Sequence, residues 1–584
     1  MNSIRTAKRF IFPLLGLWVL LYASFSLVKP PLLNGTDSIQ AEAAREMAVS
    51  GDWLTPRVNG VRYLEVSPLL TWSTAVSYDI FGAADWAARL PVAFYALALF
   101  IVTLSIGARL FLTPVAGFYA ALILLTSIGV FLFAHLLFPQ ILVTLWMTLA
   151  FYFFWRSVHH GHASLGTAVG FGAACALGAL SQGLVGVVVP VAVVVIFLAI
   201  TKNLQHLLRW HPIEGVVVFF LMTLPWYIAM HHVNGTGVRI VDVHGDPCAP
   251  WLLVWAFLLL WIIPWCFFSI AALVRLPART APHSKQMDPS HQARLLLVLW
   301  FMVDAIYIAF THHHEFSILP ALPSLALLAA GWLAADEAAP SRLGRVFAWI
   351  FFVLGVNLGL ACIFLAVFAP LASSGADIAT LLHLHPGRHH LFFGHLTDLT
   401  FASMGAFRIP LGIAAAALLA GVIGNLVFRL THQPRFKHRS RIANCFLAGM
   451  MVFLLIAGHI ALNDFSPVVS SEVLAEAIHP EINPGDIIVV NGHYRDASAL
   501  GFYLGGQVHL LNVPANELGR FSSDAPADFE NESELVQQWN GPNRVFLWTP
   551  QQSAPKLSAP AYVIAQDGGA EILSNEPNSG GASF

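Results

Sequence analysis

The sequence predicts an α-helical polytopic membrane protein with a soluble α/β domain at its C-terminal end. Three observations predict it. Hydrophobic residues make up 57% of the 584 residues and charged residues 11%, against about 25% charged in soluble domains. Long apolar runs recur from about residue 10 to about residue 462. Beyond them the pattern changes to short β-rich segments bounded by Gly, Asn and Pro. A mean hydropathy of +0.69 leaves too little polar surface for a soluble chain of this length, so the excess has to face lipid.

The first apolar run follows Arg5, Lys8 and Arg9 and extends from Phe10 to about Val28. It is long for the apolar region of a signal peptide and lacks a clear small-x-small cleavage site, so it reads as a retained span. Further runs fall near 90–110, 114–135, 138–156, 164–182, 184–201, 213–231, 250–274, 295–312, 317–335, 346–370, 408–428 and 443–462, about thirteen helices in all. Basic residues mark alternate connections, at Arg156, at Lys202 and Arg209, at Arg275 to Arg294, at Arg342 and Arg345, and at Arg429 to Arg441. By the positive-inside rule these are cytoplasmic, with the N-terminus, and the tail lies outside. The chain thus divides into a membrane part, 1–462, with a first external loop at 31–88, and a tail, 463–584, expected to fold by itself. Within the tail, Asp486–Asn491, Gly501–Leu511, Arg544–Trp548 and Ala561–Ala565 read as strands and Ser470–Ile478 as a helix. The segment 373–407 is long enough to be a lid or binding element.

A formal net charge of -2 gives no footprint for nucleic acid. The five cysteines, at 175, 248, 266, 362 and 445, have no metal-ligand spacing, and residues 463–584 contain none. No P-loop or Gly-rich dinucleotide signature is present.

Chemistry concentrates in the first external loop, GTDSIQAEAAREMAVSGDWLTPRVNGVRYLEVSPLLTW from Gly35. Asp37 precedes a helix with Ile39, Ala43 and Met47 on one side, which would lie flat on the membrane. Two readings of Asp37 stand together. It can cap that helix, with Gln40 completing a capping-box pattern, or it can act as a base at the membrane surface. Arg57, Arg62, Tyr63 and Glu65 follow. The arginines suit a lipid-linked phosphate or lipid headgroups. His312, His313, His314 and Glu315 sit where a span leaves the membrane. They could hold a divalent metal or an acceptor, although neighbours on a helix diverge, and polar residues are ordinary at a membrane boundary. His244 could join such a patch. Asp304 lies inside an apolar span, facing either a cavity or a neighbouring helix.

The run AEAAREMAVSGDWLTPRVNGVRYLE, followed by PLLTW and FGAADWAARLP, closely resembles the opening loop of the membrane-embedded glycosyltransferases of the aminoarabinose-transferase and protein-mannosyltransferase superfamily. HHHEFSILPALPSLALLAAGWLA and GALSQGLVGVVVP are similar to two further segments of that family. The resemblance implies a GT-C-like fold with about thirteen spans and a non-cytoplasmic tail, in a bacterial inner membrane. It implies inverting transfer of a sugar from a polyprenyl-phosphate donor to an envelope glycan, lipid or protein acceptor on the outer face. No cofactor is certain; a divalent metal would be compatible. Implied roles fall on Asp37 as base, on Glu65, His314 and Glu315 for acceptor or metal positioning, and on Arg57, Arg62 and Tyr63 for the donor phosphate. A gapless register sets Thr36 on the family's Asp and Asp37 on its neighbouring Glu. Val66 and Gln182 stand where the family has lysines, and Gln140 where it has an acidic residue. A non-catalytic glycan-binding or scaffold relative is the alternative, and a transporter or flippase a further one.

Overall fold

The computed structural model describes residues 2–27, 30–65, 67–159, 163–235, 251–274, 288–310, 317–370, 377–382, 397–431, 438–512, 529–551 and 560–578, with 553, 555 and 557. The membrane part opens with α1 (Asn2–Trp18), prolonged to Ser26 through a π-turn. The first loop holds α2 (Thr36–Ser50), the hairpin β1 (Arg57–Val58) and β2 (Val61–Arg62), and α3 (Pro68–Phe81). Then come α4 (Asp85–Leu110), α5 (Pro114–Leu125), α6 (Ile128–Ala134), α7 (Gln140–His159), α8 (Leu165–Gln182), α9 (Val185–Ile200) and α10 (Pro212–Asn234). The series continues with α11 (Trp251–Trp261), α12 (Cys266–Val274), α13 (Pro289–Phe310), α14 (Leu322–Ala338), α15 (Arg342–Phe368), α16 (Arg408–Leu430) and α17 (Arg439–Val469). Helix starts carry the expected signals: Thr113 caps α5 ahead of Pro114, Ser164 caps α8 and Ser341 caps α15.

Every apolar run read from the sequence coincides with one of these elements. Among the described residues, nine helices are long and apolar enough to cross a membrane, and two bent pairs raise the count to eleven. The pair α5–α6 turns by 59° and the pair α11–α12 by 112°, each a broken span or a re-entrant loop. The remaining two of the thirteen expected, Phe10–Ser26 and α9, are shorter; each falls short of the ~20 residues that a 30 Å core requires.

The tail carries α18 (Glu472–Ile478), β3 (Ile487–Asn491), α19 (Ser498–Leu504), β4 (His509–Leu511), β5 (Phe529–Glu530), α20 (Glu532–Trp539), β6 (Val545–Pro550), β7 (Tyr562–Asp567) and β8 (Ala570–Ser574). The sheet order is β5-β4-β3-β6-β8-β7. The first four strands are parallel, and β8 pairs antiparallel with β6 and β7. The run 501–511, read as strand, divides into the end of α19 and β4, because Gly505 takes a left-handed cap at φ 67°.

Strand alternation gives the sheet two apolar faces. Val489, Leu511, Val545 and Leu547 meet Leu535 and Trp539 of α20. Val490, Leu510, Phe546 and Trp548 meet α18, α19 and, from the first loop, Ile39, Ala43 and Val58. Helix α2 is therefore not a flat surface helix. Its Ile39 and Ala43 pack on the tail while Ala41, Ala44 and Met47 join the core of the membrane part. It is sandwiched, and the first loop completes one face of the tail.

At the bundle end away from the tail, a polar network ties the last helices down. Arg429 of α16 pairs with Asp336 of α14 and donates to Asn444 Oδ1 of α17 at 2.7 Å. Asn444 donates to Tyr119 Oη at 3.2 Å, Tyr119 donates to Glu337 at 2.7 Å, and Arg441 closes on Glu337 at 2.5 Å. Asp336 also accepts the amide and hydroxyl of Ser341, at 2.8 and 2.7 Å. Asp336→Leu leaves Arg429 buried without a counter-charge and should cost about 3–5 kcal/mol. The double change Asp336→Leu with Arg429→Met should recover most of it. Thermal unfolding of the detergent-solubilised single and double variants measures both; a double variant no better than the single one contradicts the pairing.

Candidate active site

The segment between α1 and α2 is stitched to the tail residue by residue. Asn34 donates its amide to Val469 O at 2.8 Å and accepts the Ala499 amide at 3.1 Å. The Gly35 amide reaches Ser498 Oγ at 2.8 Å, and Ser38 and Ser498 share a 2.7 Å bond. Tyr503 Oη accepts the Leu32 amide and donates to Asp85, both at 2.8 Å. Burial, then Asp85, pushes the Tyr503 hydroxyl well above its ordinary range, so it stays a donor. Gly35, at φ 87°, makes the reversal into α2 that an L side chain would strain.

Asp37 lies in the first turn of α2, not ahead of it. The cap position is Gly35, and Gln40 instead donates to Thr71 Oγ1 at 2.7 Å. The capping-box reading is therefore replaced. Asp37 is 2% exposed. Its Oδ1 accepts the Leu137 amide at 2.8 Å, and its Oδ2 accepts the Leu33 amide at 3.1 Å and Arg89 Nη2 at 3.2 Å. Arg89, on α4, is equally buried and also donates to the carbonyls of Pro30 and Pro31, at 2.5 and 2.8 Å. Two buried charges are tolerable only with such completion. Sequence reasoning gave Arg89 no role. The available signal was an arginine one turn into an apolar span, in DWAARLP.

One turn on, Glu42 is clamped by Arg45 through bonds of 2.7 and 2.5 Å. Glu46 accepts the Gly60 amide at 2.9 Å. Burial, and to a lesser extent the neighbouring Glu42, pushes the Glu46 carboxyl up to about 7. Gly60 sits in the hairpin turn at φ 78°, where a Cβ would lie 2.4 Å from Gln507 Nε2 of the tail. Beside it Asn59 exchanges two bonds with Val508, at 2.9 and 2.8 Å.

The hairpin holds Arg57 and Arg62 as cross-strand partners, half-buried, with Arg57 donating to Gly60 O at 3.1 Å. Tyr63 packs against the cluster that joins α2, the hairpin and the tail. Glu65 is half-buried before α3. Gln140 and Gln182 each bury a side-chain oxygen with no partner among the described residues. Val66, His244, His312, His313, His314 and Glu315, with most of 373–407, lie outside the described residues. Among the described residues no group of His, Cys, Asp and Glu could hold a metal.

A bundle of this kind, with a sheet-containing tail clamped onto its first loop, is a GT-C membrane fold. Its likeness to the solved ArnT of Cupriavidus metallidurans covers the whole length. The form bound to undecaprenyl phosphate matches 97% of this chain and 98% of that one, with a TM-score of 0.76 at 21% identity. The apo form matches 99% of each, with a TM-score of 0.77. The profile of the dolichyl-phosphate-mannose-protein mannosyltransferase family matches residues 65–228. Undecaprenyl phosphate-α-4-amino-4-deoxy-L-arabinose arabinosyl transferases are similar as well. That of Aeromonas salmonicida is 29% identical over 62% of this chain and 66% of its own length. That of Pectobacterium atrosepticum is 25% identical over 61% and 62%. The match thus spans just under two thirds of these relatives. The chain is an integral membrane protein with the fold of the solved ArnT, and its sequence is similar to these transferases.

Two outcomes follow from the geometry. Asp37→Asn removes the charge that faces Arg89, so it should destabilise by about 3–5 kcal/mol even though Asn would serve as well in a cap. Thermal unfolding of Asp37→Asn beside Arg89→Met checks this; wild-type stability in Asp37→Asn would mean the pair is dispensable. For Glu46, the folded carboxyl near 7 lies above its ordinary value of 4.5. Its contribution is therefore full below pH 4.5 and is lost as pH rises to about 7, on the order of 2–3 kcal/mol. Glu46→Gln keeps an oxygen for Gly60 and should melt above wild type at pH 8 but with it at pH 4.5. A pH-independent difference would contradict the shift.

Proposed function

We propose that the chain is an inverting glycosyltransferase that moves a sugar from a polyprenyl-phosphate donor to an envelope glycan, lipid or protein acceptor. The reaction takes place on the outer face of the bacterial inner membrane, with the N-terminus cytoplasmic and the tail outside. The observation that carries this reading is the fold likeness over the whole chain to a protein solved with undecaprenyl phosphate. Arg57 and Arg62 supply cations for the departing phosphate, the duty the family gives to lysines where this chain has Val66 and Gln182. Tyr63 supports the hairpin that presents them. Asp37 is the expected base. Two backbone amides and Arg89 hold it in place, and its Oδ1, which accepts one bond, keeps a lone pair for a proton. Glu42 is clamped by Arg45. Glu65, with His314 and Glu315, would position the acceptor or a divalent metal.

Val66, Gln182 and Gln140, which stand where the family has two lysines and an acidic residue, favour a second reading, a relative that binds the lipid-linked sugar without transferring it. One experiment addresses both. The purified chain is titrated with undecaprenyl phosphate and then incubated with a labelled polyprenyl-phosphate sugar and envelope acceptors. Saturable binding lost by about tenfold in Arg62→Gln, with sugar transfer by the wild type, supports the enzyme. Binding without transfer supports the second reading, and no binding overturns both. A periplasm-dependent reporter fused after Phe584 should be active; silence with stable expression would reverse the orientation.

A further inference from the structure

Helix α13 carries a carboxylate in the middle of the apolar bundle. Asp304 is completely buried, and neither of its oxygens has a hydrogen-bond partner among the described residues. The other buried carboxylates of the membrane part and first loop described above are provided for. Asp37 has Arg89 and two amides, Glu42 has Arg45, and Asp336 has Arg429 and Ser341. An ionisable side chain left unpaired inside a span is a functional feature by default.

A second orphan faces the same seam. Gln140, at the tail-side start of α7, is 2% exposed, and its Oε1 has no partner among the described residues. Phe151 of α7 and Trp300 of α13 meet with ring centroids 4.4 Å apart. From that contact both helices run toward the tail. Gln140 lies roughly three turns from Phe151, on the same face and about 16 Å nearer the tail. Asp304 lies one turn from Trp300, on the same face and about 6 Å nearer the tail. The two orphans therefore lie on the faces of α7 and α13 that meet at this ring contact, with ~10 Å between their levels. Thr144 shares that face of α7, with its hydroxyl taken by the Gln140 carbonyl at 2.5 Å. Gln182, the third orphaned oxygen, ends α8, which packs along α7.

Each glutamine amide carries an NH2 donor beside its carbonyl oxygen, and none of these groups is a cation, so together they suit hydroxyls, which both donate and accept, rather than a phosphate. In a lipid-linked sugar the donors are the hydroxyls, or an amine, of the sugar ring. We propose that Asp304 and Gln140 form the sugar-recognition seam of the donor site, with Asp304 taking a hydrogen bond from a hydroxyl or ammonium group of the transferred sugar. They are specificity-determining residues, distinct from the arginines that meet the phosphate. This assignment rests on the lipid-linked-sugar reading given above.

The test compares bare undecaprenyl phosphate with undecaprenyl phosphate carrying 4-amino-4-deoxy-L-arabinose and with undecaprenyl phosphate carrying mannose. Binding to the purified full-length chain is measured by native mass spectrometry for wild type, Asp304→Leu, Asp304→Asn and Gln140→Leu. Wild type should hold at least one of the sugar-bearing lipids about tenfold tighter than the bare one, the effect of one buried hydrogen bond. Asp304→Leu and Gln140→Leu should lose that preference while binding bare carrier as wild type does. Asp304→Asn, which keeps the shape if the leucine variant fails to fold, should lose most of it. Asp304→Leu should melt at or above wild type, because an unpaired buried carboxyl is replaced by an apolar group. Variants that keep the wild-type preference overturn the proposal, as does a wild type that binds bare and sugar-bearing lipids equally. A wild type that binds none of the three fails at the earlier step and removes the lipid-linked reading with it.

Discussion

The buried pair of Asp37 and Arg89 sets the positions of the parts around it. Two opposite charges withdrawn from water must be met by every available donor and acceptor, or the withdrawal costs more than the pair returns. Here the requirement draws in the carbonyls of Pro30 and Pro31 and the amides of Leu33 and Leu137. The exit from α1, the start of α2, the first turn of α4 and the corner before α7 are thereby held at one point. The tail then binds the same stretch from the other side, through Val469, Ser498, Ala499 and Tyr503. The loop that carries the candidate chemistry is consequently among the most constrained parts of the molecule. Chemical groups in it can be positioned closely.

The membrane part was legible because its signal is local. An apolar run long enough to cross lipid is visible without any partner. What the runs could not show was where a helix bends or falls short, since the turns at α5–α6 and α11–α12 arise from packing and breaks in the helical ladder. The first loop was misread for the opposite reason. Ile39, Ala43 and Met47 do form a stripe, but the stripe is divided between two cores. A helix periodicity tells which residues want burial and not what will bury them. The Asp37 cap failed similarly. The pattern Asp-x-x-Gln is present, yet Gly35 can take the reversal and Thr71 can hold Gln40, and tertiary bonds outweighed the local ones. Within the tail, strands rich in Ile, Val and Trp were readable, whereas 501–511 mixes Gly, aromatic and apolar residues that suit a short helix equally well.

The replaced charges of the candidate site have a common sense. Relative to the family pattern, Val66 and Gln182 lose cations and Gln140 loses an anion. What is left near the tail-side ends of α7 and α8 is a set of neutral amide oxygens without donors among the described residues. The hairpin retains its positive charge in Arg57 and Arg62, held at a fixed spacing by the cross-strand register and by the bonds of Asn59 and Gly60. A phosphate at such a site would be met from the tail side, by guanidinium groups that can form paired bonds where lysine offers a point charge.

Two aspartates inside the spans show how structural and functional polarity differ in this bundle. Asp336 is matched by Arg429, by Ser341 and, through Asn444 and Tyr119, by a chain of bonds that closes on Glu337 and Arg441. Each of these side chains is bonded to at least one other, and a buried polar network joined in this way contributes specificity. Asp304 is buried as deeply and has none of this among the described residues. A carboxylate kept only for packing would be better as leucine, since the apolar side chain fills the space without unmet hydrogen bonds. The same fold demonstrably can surround a buried acid with donors, as it does at 37 and 336. That the acid at 304 is unmet among the described residues is the pattern expected of a group whose partner arrives from outside the chain.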